Sequence, residues 1–166
     1  MSAGPLVSGS MAGLGVNAYG INAVNIAVGK TLTYRAVGGL GGLWSCFLKG
    51  IGCNYLVNIA IMLAICADNV VGKFFGIWFP IMAFVASGFE HCVANMYFLP
   101  TGMMLTSWHP EVISKIGGLL SHYGGISLAD MWYWNIFPAT IGNIVGGFLF
   151  VACFYFYAFR KELPAG

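Results

Sequence analysis

An acid and a base stand side by side, Glu90-His91, in a stretch from Phe74 to Trp108 that holds no other Asp, Glu, Lys, Arg or His. A histidine titrates near neutrality and can take up and return a proton in place. A carboxylate can accept hydrogen bonds from N–H groups that irregular backbone leaves without partners. Two readings of the pair are open, a proton-handling site or a hydrogen-bonded pin for a broken segment. His91 fits the first better and Glu90 the second. Asn54 and Asn58 are four residues apart and share a helix face. Amides facing lipid are costly, so that face packs on protein or lines a cavity. Lys30, Arg35 and Lys49 fall on one side of the first long apolar run. They read as a vestibule that concentrates anions or as side chains snorkelling to lipid headgroups, and the latter fits Lys49 better. Phe84 precedes His91 by about two helical turns, which puts both on one face of a continuous helix. Its ring could narrow a passage lined by His91. The cysteines Cys46, Cys53, Cys66, Cys92 and Cys153 form no C-x-x-C pair and lie mostly in apolar runs. They read as small apolar side chains in packed helices. No spacing of cysteine or histidine suits a metal or haem, so no metal and no cofactor is expected. His109 and His122 carry no assigned role.

Composition says what kind of element must hold these residues. The chain has 166 residues, of which 59% are hydrophobic and 7% charged, with a mean hydropathy of +0.83. Soluble domains run near ~25% charged. So few charges cannot coat a globule with solvated side chains, which excludes an ordinary cytosolic enzyme and a disordered tail. The net charge of +2 is too small for a nucleic-acid footprint. An all-α integral membrane domain over 1–166 remains. The N-terminal MSAGPLVSGSMAGLG lacks the basic region of a signal peptide.

A bilayer core of ~30 Å takes ~20 helical residues to cross, and three regions qualify. The first spans about 50–67. The second, about 74–104, would make a straight helix of well over ~40 Å. It carries Ser87-Gly88, Glu90-His91 and Pro100-Thr101-Gly102, so it reads as a helix broken near 88–94. Irregular backbone at membrane depth survives only where protein buries it or water bathes it, and such a break points to a transport site. The third spans about 136–159, with Pro138 at its start. Gly142, Gly146 and Gly147 suit close helix approach, and Asn143 lies among them. Residues 105–130 read as a connecting loop with a short interfacial helix, and 21–28 as the tail of a further helix. Lys73, Arg160 and Lys161 fall on one side, Lys30, Arg35, Lys49 and Lys115 on the other. That balance sets no orientation.

Three motifs carry a family resemblance. Val85-Ala86-Ser87-Gly88-Phe89-Glu90-His91-Cys92-Val93-Ala94-Asn95-Met96-Tyr97 closely resembles the signature of the formate/nitrite transporter family. Thr140-Ile141-Gly142-Asn143-Ile144-Val145-Gly146-Gly147 and Gly52-Cys53-Asn54-Tyr55-Leu56-Val57 resemble its last span and the start of its fourth. They occur in family order, and the resemblance is clear from about Lys49 to Lys161. It is weaker from Gly15-Val16-Asn17 to Lys30. It implies an aquaporin-like channel fold with inverted three-span halves, of which this chain is the second, with one broken helix. It implies pentamers in which each protomer has its own pore. His91 matches the family's central histidine, and Asn54 and Asn143 match its pore-facing asparagines. Phe84 matches the aromatic constriction. Lys30 matches by local sequence a lysine that attracts the anion, although the interval from Lys30 to Asn54 is several residues longer than usual. The family's C-terminus is cytoplasmic, in a plasma or inner membrane.

The implied activity is passage of a small monovalent anion such as formate or nitrite, with His91 relaying a proton and no enzymatic step. Its partners are the anion, the lipid bilayer, sister copies in a homopentamer and the missing first half of the protomer, with no nucleic acid. The chain corresponds to little more than the second half and is expected to be a fragment of the full channel. The alternative is a non-transporting membrane subunit or scaffold that lacks half the pore.

Overall fold

The structure, a computed structural model, describes residues 18–162. The readings placed on the N-terminal MSAGPLVSGSMAGLG and on Gly15-Val16-Asn17 lie outside the described residues. Those that are described form helices, with no strand among them. In chain order they are α1 (Ala18–Lys30), α2 (Leu32–Val37), α3 (Gly39–Cys66) and α4 (Val70–Ala86). After a break come α5 (Cys92–Trp108), α6 (Glu111–Ile116), α7 (Gly118–Tyr123) and α8 (Leu128–Phe159). α3 and α8 are each long and apolar enough to cross a membrane, and α4 is a shorter apolar helix.

The helix bounds differ from the expected spans at three places, each for a local reason. α3 begins at Gly39 rather than near Gly50. Gly38 and Gly39 have φ of 73° and 52°, a left-handed turn that glycine adopts without a Cβ clash. Beyond it nothing stops the helix before Asp68, and Lys49 is simply a residue within it. α8 begins at Leu128 rather than near 136. Ser127 and Asp130 form a reciprocal capping box there, each side chain accepting the other's backbone N–H. Pro138 therefore lies inside the helix. The turn before it, Trp132–Ile136, is π-helical, and the Phe137 amide donates to Trp132 O. That widened turn accommodates a residue with no N–H to give. Finally, 105–130 is mostly helical: α5 runs to Trp108, then α6 and α7 meet at Gly117 and Gly118.

The chain divides into two compact units. One comprises 18–45 with Val93–Phe137. Its core is Val24, Ala27, Leu32, Leu99, Leu105, Val112, Leu120, Ile126, Met131 and Ile136. α1 and α5 cross closely, because a Cβ on Gly102 would collide with that of Ala27. Arg35 of α2 binds both oxygens of Asp130 at 2.9 and 3.1 Å. Its guanidinium also lies 4.2 Å from the centre of the Tyr123 ring, so one side chain ties α2 to α7 and to the start of α8.

The other unit comprises Cys46–Cys92 with residues 138–162. Here α3 and α8 run parallel at glycine contact distance. Gly142 lies against the carbonyl of Phe47, and one turn on Gly146 lies against that of Ile51. Any side chain at either position would overlap backbone oxygen. α4 turns back along α3, with Gly76 against Leu63, and Asn69 caps it by accepting the Gly72 N–H at 2.8 Å. The outward faces stay apolar: Phe74, Trp78 and Phe79 on α4, and Phe148, Phe154 and Phe156 on α8, are all exposed.

Candidate functional site

The site is built on the interruption between α4 and α5. α4 ends at Ala86, and Gly88 takes φ 63°, reversing the chain where a side chain would be strained. The last carbonyls of α4 are answered from within the turn. Ser87, Gly88 and Phe89 N–H donate to Ala83 O, Val85 O and Phe84 O at 3.0, 3.0 and 3.1 Å. The Phe89 ring then lies on Gly52 of α3, where a Cβ would come within 2.7 Å of it.

Past Phe89 the backbone has no helix of its own to satisfy it, and Asn143 of α8 takes that part. Its Nδ2 donates to Glu90 O at 2.8 Å and to Gly50 O at 2.9 Å. Its Oδ1 accepts the Cys92 N–H at 3.0 Å. Both amide hydrogens and the oxygen are thus spent on backbone, in a side chain that is buried. Asn143 closes one side of the break and supplies the N-terminal cap of α5. This is why α5 starts at Cys92 and the non-helical residues are only 87–91. The Glu90 N–H reaches Lys49 O at 3.4 Å, and Glu90 is itself buried.

Clamped in this way, the chain brings His91 back to Phe84. Their ring centroids are 6.0 Å apart at an interplanar angle of 53°. The expectation rested on a continuous helical period, but the helix stops at Ala86. The proximity comes from the Gly88 reversal instead. Asn54 lies next to the clamp, its Nδ2 donating to Asn143 O at 2.7 Å. Asn58 joins it, donating to Asn54 O at 2.8 Å and Oδ1 at 3.3 Å. Asn54, Asn58, Phe84, Glu90, His91 and Asn143 therefore belong to one unit.

Lys30 belongs to the other unit, at the end of α1. Arg35, read as a vestibule cation, is committed to Asp130 and Tyr123. Two residues passed over in the sequence stand beside Lys30. Asn95 Nδ2 donates to Asn135 Oδ1 at 2.8 Å, and Asn135 Nδ2 to Lys30 O at 2.7 Å, with both asparagines fully buried. The rule that singled out Asn54 and Asn143, amides inside apolar runs, applies equally to both. Among the described residues no cluster of His, Cys, Asp or Glu could hold a metal.

A family model described as "Formate/nitrite transporter" matches residues 3–157. A "Probable formate transporter" of Methanothermobacter thermautotrophicus is 47% identical over 116 residues, which are 70% of this chain and 36% of that protein. "Formate channel FocA" of Haemophilus influenzae is 39% identical over 67% of this chain and 39% of its own length. A solved structure described as a pentameric formate channel with formate bound is 31% identical, with a TM-score of 0.70. It is matched over 86% of this chain and 53% of its own. The match thus spans little more than a third of these curated relatives and about half of the solved channel chain.

Proposed function

The chain belongs to the formate/nitrite transporter family, and on that premise we propose that it supplies one wall of a path for small monovalent anions of the formate/nitrite class across the lipid bilayer. The observation that carries this reading is the contact of Phe84 with His91 at a helix break held by buried hydrogen bonds. A bare anion loses its hydration at an apolar constriction, at a cost of many kcal/mol. Formate and nitrite are conjugate bases of weak acids. A proton delivered by His91 neutralises the charge at the step where desolvation is most expensive, and the imidazole is then reprotonated from water. Phe84 provides the apolar side of the constriction. Asn54 offers hydrogen bonding beside it, and Asn143 holds the wall in shape. Lys30, in the other unit, attracts the anion by its charge.

The other wall of the pore comes from chain outside this sequence, on the same polypeptide or a second one, in keeping with a match to about half of the channel chain. The working assembly is a homopentamer in a plasma or inner membrane, with Arg160 and Lys161 on the cytoplasmic side. That same partial match favours one other reading, a membrane subunit that carries no flux. The complete protein reconstituted into liposomes, with labelled formate outside, separates the two. Saturable formate uptake accompanied by alkalinisation of the outer medium is expected. Uptake no faster than in empty liposomes would overturn the transport reading.

A further inference from the structure

Asn58 has no part in the path as described so far, yet it touches Asn54, whose hydrogen bonding is left incomplete. The side chain of Asn54 is held at two edges. One N–H of its Nδ2 goes to Asn143 O, and its Oδ1 accepts from Asn58 Nδ2. Asn58 is anchored by a second bond, to Asn54 O. These bonds leave Asn54 with one N–H that has no partner among the described residues. Across from both amides stands Gly147. A Cβ there would lie 2.5 Å from Asn54 Nδ2 and 3.0 Å from Asn58 Nδ2, so the glycine provides the space in which the pair is arranged.

The sign of the exposed group matters to an anion. An amide offers an N–H donor on one side and a carbonyl acceptor on the other. A free Oδ1 beside the path would repel formate, whereas a free N–H attracts it with a charge-assisted bond. We infer that Asn58 is a positioning residue that ties back the acceptor of Asn54, so that Asn54 presents its N–H donor to the permeating anion. This rests on the transport reading above and adds a determinant of anion preference to it. Asn58 acts through Asn54, and Gly147 is the space the arrangement requires.

The experiment compares Asn58→Leu and Asn58→Gln with the parent in the complete protein, in two readouts. The first is formate flux in liposomes. Asn58→Leu frees Oδ1 and removes the donor, and the half-saturating formate concentration is expected to rise about five- to tenfold with little change in maximal flux. Asn58→Gln keeps a donor and is expected to remain within about twofold of the parent. An unchanged half-saturating concentration in Asn58→Leu would overturn the proposal, as would an equal loss in both variants. The second readout is the side-chain amide resonance of Asn54 in detergent-solubilised protein, which needs no transport. Asn58→Leu is expected to shift it and speed its hydrogen exchange, while an unmoved resonance would overturn the positioning role. A shifted resonance in a protein whose parent carries no formate would refute the transport reading and leave the Asn54–Asn58 geometry standing. Gly147→Ala is expected to reproduce the Asn58→Leu behaviour in both readouts; parent-like behaviour would contradict the packing argument.

Discussion

At the scale of the residue, Asn143 concentrates the most hydrogen bonding in the fewest atoms. One buried amide satisfies the carbonyls of Glu90 and Gly50 and the N–H of Cys92. Leaving a buried backbone group without its partner costs about 1–3 kcal/mol, so Asn143→Leu is expected to destabilise by about 3 kcal/mol or more. Asn143→Asp accepts from Cys92 but donates nothing to the two carbonyls, and should be destabilised comparably. Thermal midpoints of the purified protein in detergent check this. A tolerated Asn143→Asp would mean that the donor role is dispensable. Glu111 gives a second residue-scale prediction, outside the spans. Its carboxylate lies at the start of α6 with His109 Nδ1 2.9 Å from Oε1. Hydrogen bonding to backbone N–H, then to His109, holds it below the ordinary glutamate range. A depressed acid favours the folded state above its unfolded value of ~4.3, and that contribution is lost as pH falls through the folded value. Glu111→Gln should therefore speed amide exchange in α6 at neutral pH. The difference from the parent should vanish once pH falls below that folded value.

At the scale of the element, the fold turns on where glycine is forced and where it is incidental. Gly146 is forced, because a Cβ would overlap the carbonyl of Ile51 across the α3–α8 contact. Gly29 in α1 is incidental, since a Cβ there meets nothing within 4 Å. Alanine is the better helix former by about 1 kcal/mol. Gly29→Ala should thus stabilise by about 0.5–1 kcal/mol, while Gly146→Ala should destabilise by about 1–3 kcal/mol through overpacking. The same pair of thermal midpoints tests both signs. Elements were legible in the sequence where chemistry marked them. Ser87-Gly88 with Glu90-His91 announced an interruption, and Gly142 with Gly146 announced a close helix contact. Boundaries set by distant partners were not legible. Nothing local to Cys92 says that Asn143 will cap it, and Pro138 resembled a helix start until the capping box at Ser127 and the π-helical turn placed it inside one. Asn95 and Asn135 were passed over because nothing local to either says that they will pair with each other.

At the scale of the whole molecule, composition settled the class: with 7% charged residues, the exposed faces had to be apolar. What composition leaves open is which of those faces meet lipid and, on the transport reading proposed above, which meet the rest of the pore. Within this chain, the segment expected to handle the anion is held by hydrogen bonds between the Asn143 side-chain amide and backbone groups. On the transport reading proposed above, His91 is the group that relays the proton. The most direct test is formate flux through the complete protein in liposomes across pH 5–8, for the parent and for His91→Phe, a change that keeps an aromatic ring beside Phe84. The proton relay predicts a pH-dependent flux in the parent that becomes flat in His91→Phe. The same pH dependence in both proteins would contradict it.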